Sequence, residues 1–139
     1  MNTPANQTLI TFEGLQVVNI DFDSKLVELS QFGYKSPKVN INFKVIEDVS
    51  KPNFFGIKFN AKIADSENTF NLTISAIGKF TAKNPIDESF LNSDFAKVNA
   101  PAIAFPYFRS IVTIIMVNAG FPPLILPTFN FTKVKEQKS

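Results

Sequence analysis

Cysteine, histidine and tryptophan are all absent from this chain of 139 residues. Without cysteine there is no disulfide staple and no thiolate to act as nucleophile or ligand. Without histidine the usual proton shuttle near neutral pH is missing, and so is the commonest transition-metal ligand. Glycine is scarce, at five residues, and none of them forms a phosphate-cradling loop. An excess of one charge is lacking too: 14 basic against 12 acidic residues leave +2, too little to imply a nucleic acid or a membrane surface as partner. Long apolar runs are missing, the longest being Ile114 to Val117, or from Ile111 if Thr113 is tolerated. A spanning helix needs about 20 such residues. Met1 to Gln7 carry no basic flank ahead of an apolar core, so a secretory signal is not expected. These absences predict a soluble cytoplasmic protein with no catalytic site, metal or cofactor, and make an enzyme the least expected class.

What is present is phenylalanine, 16 of them, in a chain that is 45% hydrophobic. Most should fill one modest core, and the surplus is expected on a partner-facing surface. Alternation sets the first two-thirds. Ile10, Phe12, Val18, Ile20 and Phe22 share one parity, with Gly14 as a candidate bulge. Val39, Ile41, Phe43 and Val45 alternate with Lys38, Asn40, Asn42 and Lys44; Phe55 to Ile63 and Phe70 to Ala76 follow the same rule. Side chains on a strand point to alternate faces, so each run reads as a strand with one buried side. Short turn-forming links, such as Ser50 to Asn53 and Asp65 to Asn68, allow only antiparallel neighbours. The expected fold class is α+β: a four-stranded antiparallel sheet followed by one main helix.

Pro106 suits the first position of that helix and Gly120 the residue just past its end. Between them Arg109, Ser110 and Thr113 cluster on a narrow stripe, while Ile111, Val112, Ile114, Ile115, Met116 and Val117 take the remaining circumference. A helix covering one sheet and facing water shows a polar half, and this one does not. The helix is therefore expected to pack on its own sheet and against another subunit, with Tyr107, Phe108, Ile111, Val112, Ile114 and Ile115 at the oligomer interface. Next comes Phe121-Pro122-Pro123-Leu124-Ile125-Leu126-Pro127, whose prolines bar it from a helix or a central strand. It should run along the surface and line a groove. A turn or short helix is expected around Asn84 to Glu88.

Phe105-Pro106-Tyr107-Phe108-Arg109 at the helix, with Gly120-Phe121-Pro122-Pro123-Leu124, Pro127, Asn130 and Phe131 after it, resembles the signature of the SecB family. The likeness covers about residues 9–131, leaving 1–8 as an expected flexible N-terminus and 132–139 as a short basic tail. It implies a dimer of dimers that binds unfolded client proteins in apolar surface grooves, without nucleotide, for protein export. By position, the implied groove residues are Val39, Ile41 and Phe43, then Pro122, Pro123, Leu124, Ile125, Leu126, Phe129 and Phe131. The positions that dock the ATPase of the export machinery fall on Asn19, Asp23, Asn71 and Thr73, where only Asp23 is a carboxylate. The long second helix and acidic tail of familiar members have no counterpart, and Lys133, Lys135 and Lys138 stand at the end. Some family-like proteins serve an antitoxin instead, so a dedicated partner is a second reading, and a carrier of a small hydrophobe a third.

Other patterns read as structure. Asp21 and Asp23 put two carboxylates on one strand face with no third ligand, which suits a solvated face. The Asn-x-Thr triplets at Asn6, Asn71 and Asn130 are expected to be chance. Arg109 is expected to serve structure, pairing with a carboxylate across an interface.

Overall fold

A computed structural model describes residues 9–25, 28–30, 33–128, 130 and 131. Four strands, β1 (Ile10–Ser24), β2 (Lys38–Glu47), β3 (Phe54–Ala64) and β4 (Phe70–Ala82), form one antiparallel sheet. A short helix α1 (Glu88–Leu91), a π-helical turn (Phe95–Asn99) and the long helix α2 (Ala100–Asn118) follow. The order across the sheet is β1-β4-β3-β2. The short links do join β2 to β3 and β3 to β4, but β1 lies beside β4, which makes the sheet a Greek key rather than a simple meander.

Register puts the apolar sets on one inner face. Val39, Ile41, Phe43 and Val45 stand opposite Ile63, Ala61, Phe59 and Ile57, which in turn face Leu72, Ile74, Ala76 and Gly78. Along β1 the parity changes twice. Register shifts fall between Phe12 and Gly14 and between Val17 and Asn19, with Gly14 at φ +112°. Each extra residue flips the faces that follow it. Leu15 and Val17 therefore join Phe12 on the inner face, whereas Val18, expected there, is 48% exposed. Ile20, beyond the second bulge, pairs with Ile74 but remains about half exposed.

Helix α2 begins earlier than Pro106 suggests. Pro101 takes the first-turn role, and Pro106 sits inside the helix on its exposed side. There the carbonyl that loses its amide donor faces solvent, which lowers the usual cost of an internal proline. The end matches expectation: Gly120, at φ +95°, and Phe121 donate to the carbonyls of Val117 and Met116, closing a Schellman turn. Asp87 caps α1 by accepting from the Phe90 amide at 2.8 Å.

The core lies between α2 and the sheet's inner face. Ala104, Phe105, Phe108, Val112 and Met116 are buried there. Phe108 stacks on Phe59 at 5.2 Å between ring centroids, and Phe80 on Phe55 at 5.0 Å. Each such ring contributes about 1.5–3 kcal/mol by burial, plus a smaller share from ring geometry. Gly78 sets the depth of the helix: a Cβ built there would stand 2.8 Å from the Cβ of Ala104. The outer face is polar. Ser75 Oγ donates to Asn60 Oδ1 at 2.6 Å, and Asn60 Nδ2 donates to Asn42 Oδ1 at 3.2 Å, a ladder across three strands.

Among the described residues the surplus of phenylalanine is turned inward. Among the described residues Phe54 is the one exposed phenylalanine, while the exposed apolar side chains are mostly aliphatic: Ile103, Ile114, Val117 and Ile125.

Candidate functional site

Helix α2 lies over β1, β3 and β4, and the π-helical turn reaches β2. The chain after the helix, described over residues 121–128, 130 and 131 and called the strap below, brings Phe131 onto Phe43 in the middle of β2. Its prolines at 122, 123 and 127 carry no amide hydrogen, so it cannot extend the sheet through them. Two side-chain hydroxyls hold its carbonyls instead. Tyr34 Oη donates to the Pro123 carbonyl at 3.0 Å, and Thr113 Oγ1 donates to the Leu124 carbonyl at 2.7 Å. Leu124, Leu126 and Phe131 turn inward and are 3%, 0% and 9% exposed. The Phe131 ring stands edge-on to Phe43 at 5.2 Å and to Phe105 at 5.6 Å. Ile125, between the two leucines, points out and is 68% exposed, as expected for an extended segment.

The groove residues inferred by position thus divide into three sets. Val39 and Ile41 are half-buried on the inner face, and Pro122, Pro123 and Ile125 are exposed. Phe43, Leu124, Leu126 and Phe131 are buried and line no open groove, with the Phe131 ring lying against Phe43 of β2. Phe129 lies outside the described residues. Tyr34, which the sequence reading passed over, anchors the strap; its only signal was to be one of two tyrosines. Its ring packs edge-on against Phe70 at 5.6 Å, and Phe121 meets Phe70 and Phe22 at 5.4 and 6.0 Å.

Tyr34 is fixed from behind by a carboxylate. Asp65 and Thr69 are buried in the β3–β4 turn. The Asp65 carboxylate accepts from the Thr69 hydroxyl and amide and from the Lys35 amide at 3.4 Å. Burial pushes its pKa up, but these bonds and one from the Phe70 amide outweigh it and hold the group below the usual 3.8. Ser66 also donates through its amide to the Lys35 carbonyl at 2.9 Å. Lys35, next to Tyr34, is thereby tied to the β3–β4 turn through both its amide and its carbonyl.

The interface residues divide as well. Phe108 and Val112 are 0% exposed and pack wholly on the chain's own sheet, so they have no surface left for a second subunit. Ile111 and Ile115 are half-buried, and Tyr107 and Ile114 are exposed. The open side of α2 is Ile103, Tyr107, Ser110, Ile114 and Val117, at alternating intervals of four and three residues and without a charge. That 3.5-residue repeat is the seam by which one helix packs along another. Within Phe95–Asn118, 24 residues, an 18-residue window has mean hydropathy 1.6, a value that core helices of soluble proteins also reach. Its apolar content goes to two places, the core face and this seam. Arg109 is half-buried beside Thr113, and its Nε has no acceptor among the described residues.

On the outer face Asp23 is exposed opposite Asn71, with Asp21 opposite Thr73. An open trough of about 690 Å³ begins at Asn71 and Thr73, beside these carboxylates, and is edged on the two strands beyond by Lys62, Lys38 and Asn40. The surroundings of Asp23 are therefore of mixed charge, not acidic.

A Greek-key sheet, a long helix with an uncharged exposed stripe and an apolar strap that reaches an edge strand together define an α+β module. The chain belongs to the SecB family, whose profile, described as "Preprotein translocase subunit SecB", matches residues 5–139. Among relatives, an uncharacterized protein of Methanocaldococcus jannaschii is 34% identical over 66% of this chain and 61% of its own length. The protein-export protein SecB of Mesorhizobium japonicum is 31% identical over 75% of this chain and 63% of its own. That of Acidithiobacillus ferrooxidans is 27% identical over 94% and 90%. The matches to the first of these relatives thus span less than two-thirds of their length. A solved SecB-like chaperone of Mycobacterium tuberculosis, in complex with a peptide from an antitoxin, shares the fold at a TM-score of 0.67, with 12% identity, 86% of this chain and 87% of that one covered.

Proposed function

We propose that this chain is an ATP-independent holding chaperone that takes extended apolar segments of unfolded polypeptides along the inner side of β2. One observation carries the reading: the inner face of β2 is apolar, is reached by the π-helical turn and by Phe131 of the strap, and leaves Val39 and Ile41 half-buried. Val39 and Ile41 would take the first client side chains, with Phe43 reached as the strap moves. Each client side chain entering would contribute about 1–3 kcal/mol, less the ordering of the segment. Such weak contacts hold a client only in number, so several sites in one assembly are needed.

The α2 seam supports that assembly. Two copies laid along Ile103, Tyr107, Ile114 and Val117 bury an uncharged stripe that an isolated protomer leaves to water. We place the protein in the cytoplasm, as a homo-oligomer built on this seam, with the dimer of dimers as its full form, serving export. Asp23 is the carboxylate available to an export ATPase, set in a face of mixed charge. The test is aggregation of a chemically unfolded client, with the chaperone at one oligomer per client. Slower aggregation is expected, and an unchanged rate refutes the holding role. Protection of one co-purifying partner alone, with generic clients unprotected, would indicate the dedicated-client role instead.

A further inference from the structure

We propose that the outer face of the sheet, away from the client side, is a second docking surface, which takes an acidic segment of a partner protein anchored by one apolar side chain. The outward positions of β2, β3 and β4 carry five lysines, Lys38, Lys44, Lys58, Lys62 and Lys79, and no carboxylate. Asp21 and Asp23 lie on β1, at the far edge. Lys44 stands directly opposite Lys58, both are half-buried, and neither is in an ion pair among the described residues. Like charges placed opposite each other destabilise a strand pair. A carboxylate laid across the two removes that repulsion, so an acid gains more here than on a face of alternating charge.

In the next row of the sheet the polar face is interrupted. Gly56 pairs with Ile46 on one side and Lys79 on the other. Ile46 and Ile77 lean over it: a Cβ built there would stand 3.1 Å from Ile46 Cγ1 and 2.9 Å from Ile77 Cγ2. With the Phe54 ring, 43% exposed, they wall an open pocket of about 290 Å³ edged by Lys79. Glu47 and Asp48 also line it, and Asp48 is engaged by the amide and hydroxyl of Ser50. The pocket is at the end of the sheet away from Asp23, whose row holds Asn71 and Ala64. Whole small-molecule ligands fill sites of about 300 Å³ upward, so this one suits a single large side chain. An apolar anchor ringed by charge is the usual centre of a protein interface. A nucleic acid would satisfy the lysines but has no side chain for the pocket, which favours a protein segment. Gly56 and Lys58 are two residues apart on β3, about 7 Å, so the matching segment carries an acid about two residues from its anchor.

The probe is a fluorescein-labelled peptide with one phenylalanine and a glutamate two residues to either side, titrated with the full chain and read by anisotropy. Its controls are the same peptide with alanine for phenylalanine, the same with lysine for glutamate, and a single-stranded oligonucleotide of equal net charge. Native protein should bind the first peptide, bind the alanine peptide about tenfold more weakly, and ignore the lysine peptide. Lys44→Glu with Lys58→Glu should weaken binding at least about tenfold, while holding of an unfolded client on the inner face stays native. Lys44→Gln should bind about two- to fivefold more weakly, yet unfold no earlier than native protein because the like-charge pair is gone. That pairing of results separates docking from a structural role, and it decides the matter if the double variant does not fold. Native protein that leaves the acidic peptide unbound overturns the proposal. So does equal binding of the alanine peptide, the lysine peptide or the oligonucleotide, or a lysine variant that binds as native protein does. A folded double variant that loses client holding along with the peptide overturns the separation of the two faces.

Discussion

Replacing Ile114 by aspartate tests the seam on α2 most directly. The side chain is 53% exposed in the protomer, so folding of one chain loses little. Full burial of an isoleucine contributes about 1.5–3 kcal/mol, so the part still open in the protomer represents about 1 kcal/mol per copy. A two-fold seam contains the position twice, giving about 2 kcal/mol of lost burial. Two carboxylates forced into an uncharged stripe add about 1–3 kcal/mol each in desolvation. The sum is about 4 kcal/mol or more, or about a thousandfold weaker association. Ile114→Ala, which loses only the burial, should weaken it about thirtyfold. Sedimentation velocity on a low-micromolar dilution series reads both, and thermal unfolding of the dissociated protomer should change by no more than about 0.5 kcal/mol. If Ile114→Asp sediments as native protein does, α2 pairs with nothing through this stripe and the oligomer argued from it is wrong.

Gly78→Ala should destabilise the fold by about 1–3 kcal/mol, because the new methyl meets Ala104 at a distance no real pair of Cβ atoms adopts; urea unfolding measures it, and an unchanged midpoint would mean that α2 does not sit this close to the sheet. Asp65 has a lowered folded pKa, so its contribution is fully present above the unfolded value near 3.8 and is lost as pH falls through the lower folded value. Asp65→Asn should therefore remove part of the loss of stability seen as pH drops below about 4, and native and variant proteins with identical pH profiles in that range would contradict the hydrogen-bonding described.

The strands were legible because alternation over Val39 to Val45 or Phe55 to Ile63 has one period and no interruption. Along β1 Gly14 signalled the first bulge, whose shift put Leu15 and Val17 inward and Val18 outward, but nothing in Val17-Val18-Asn19 signalled the second, which returned Phe22 to the inner face. Strand order could not be read, since β1 pairs with β4 across most of the chain and local sequence carries no record of such distance. On α2 the excess of apolar side chains was plain. Which stripe faced the sheet was not: Phe108 and Val112 differ from Tyr107 and Ile114 only by position on the helix, and packing decides between them. The strap shows the same division. Its prolines correctly ruled out a ladder of amide bonds, yet a segment without a ladder can still bury Leu124 and Leu126, and sequence gave no sign that it would close over Phe43. Pro106 misled because a proline inside a helix is tolerable where the orphaned carbonyl meets water.

The chain has two tyrosines and no tryptophan, and one ring stands where the strap is anchored, the other on the open stripe of α2. Tyr34 holds the strap through its hydroxyl, and Tyr107 lies on the helix stripe with its ring 4.8 Å from Phe12. Ultraviolet emission from the unlabelled protein therefore comes from these two places and is not swamped by indole. The Tyr34 phenol would report on its bond to the Pro123 carbonyl and the Tyr107 ring on any pairing through the stripe, so Tyr34→Phe and Tyr107→Phe in turn leave a single lamp on each place. Loading and assembly can then be timed separately without attaching a dye.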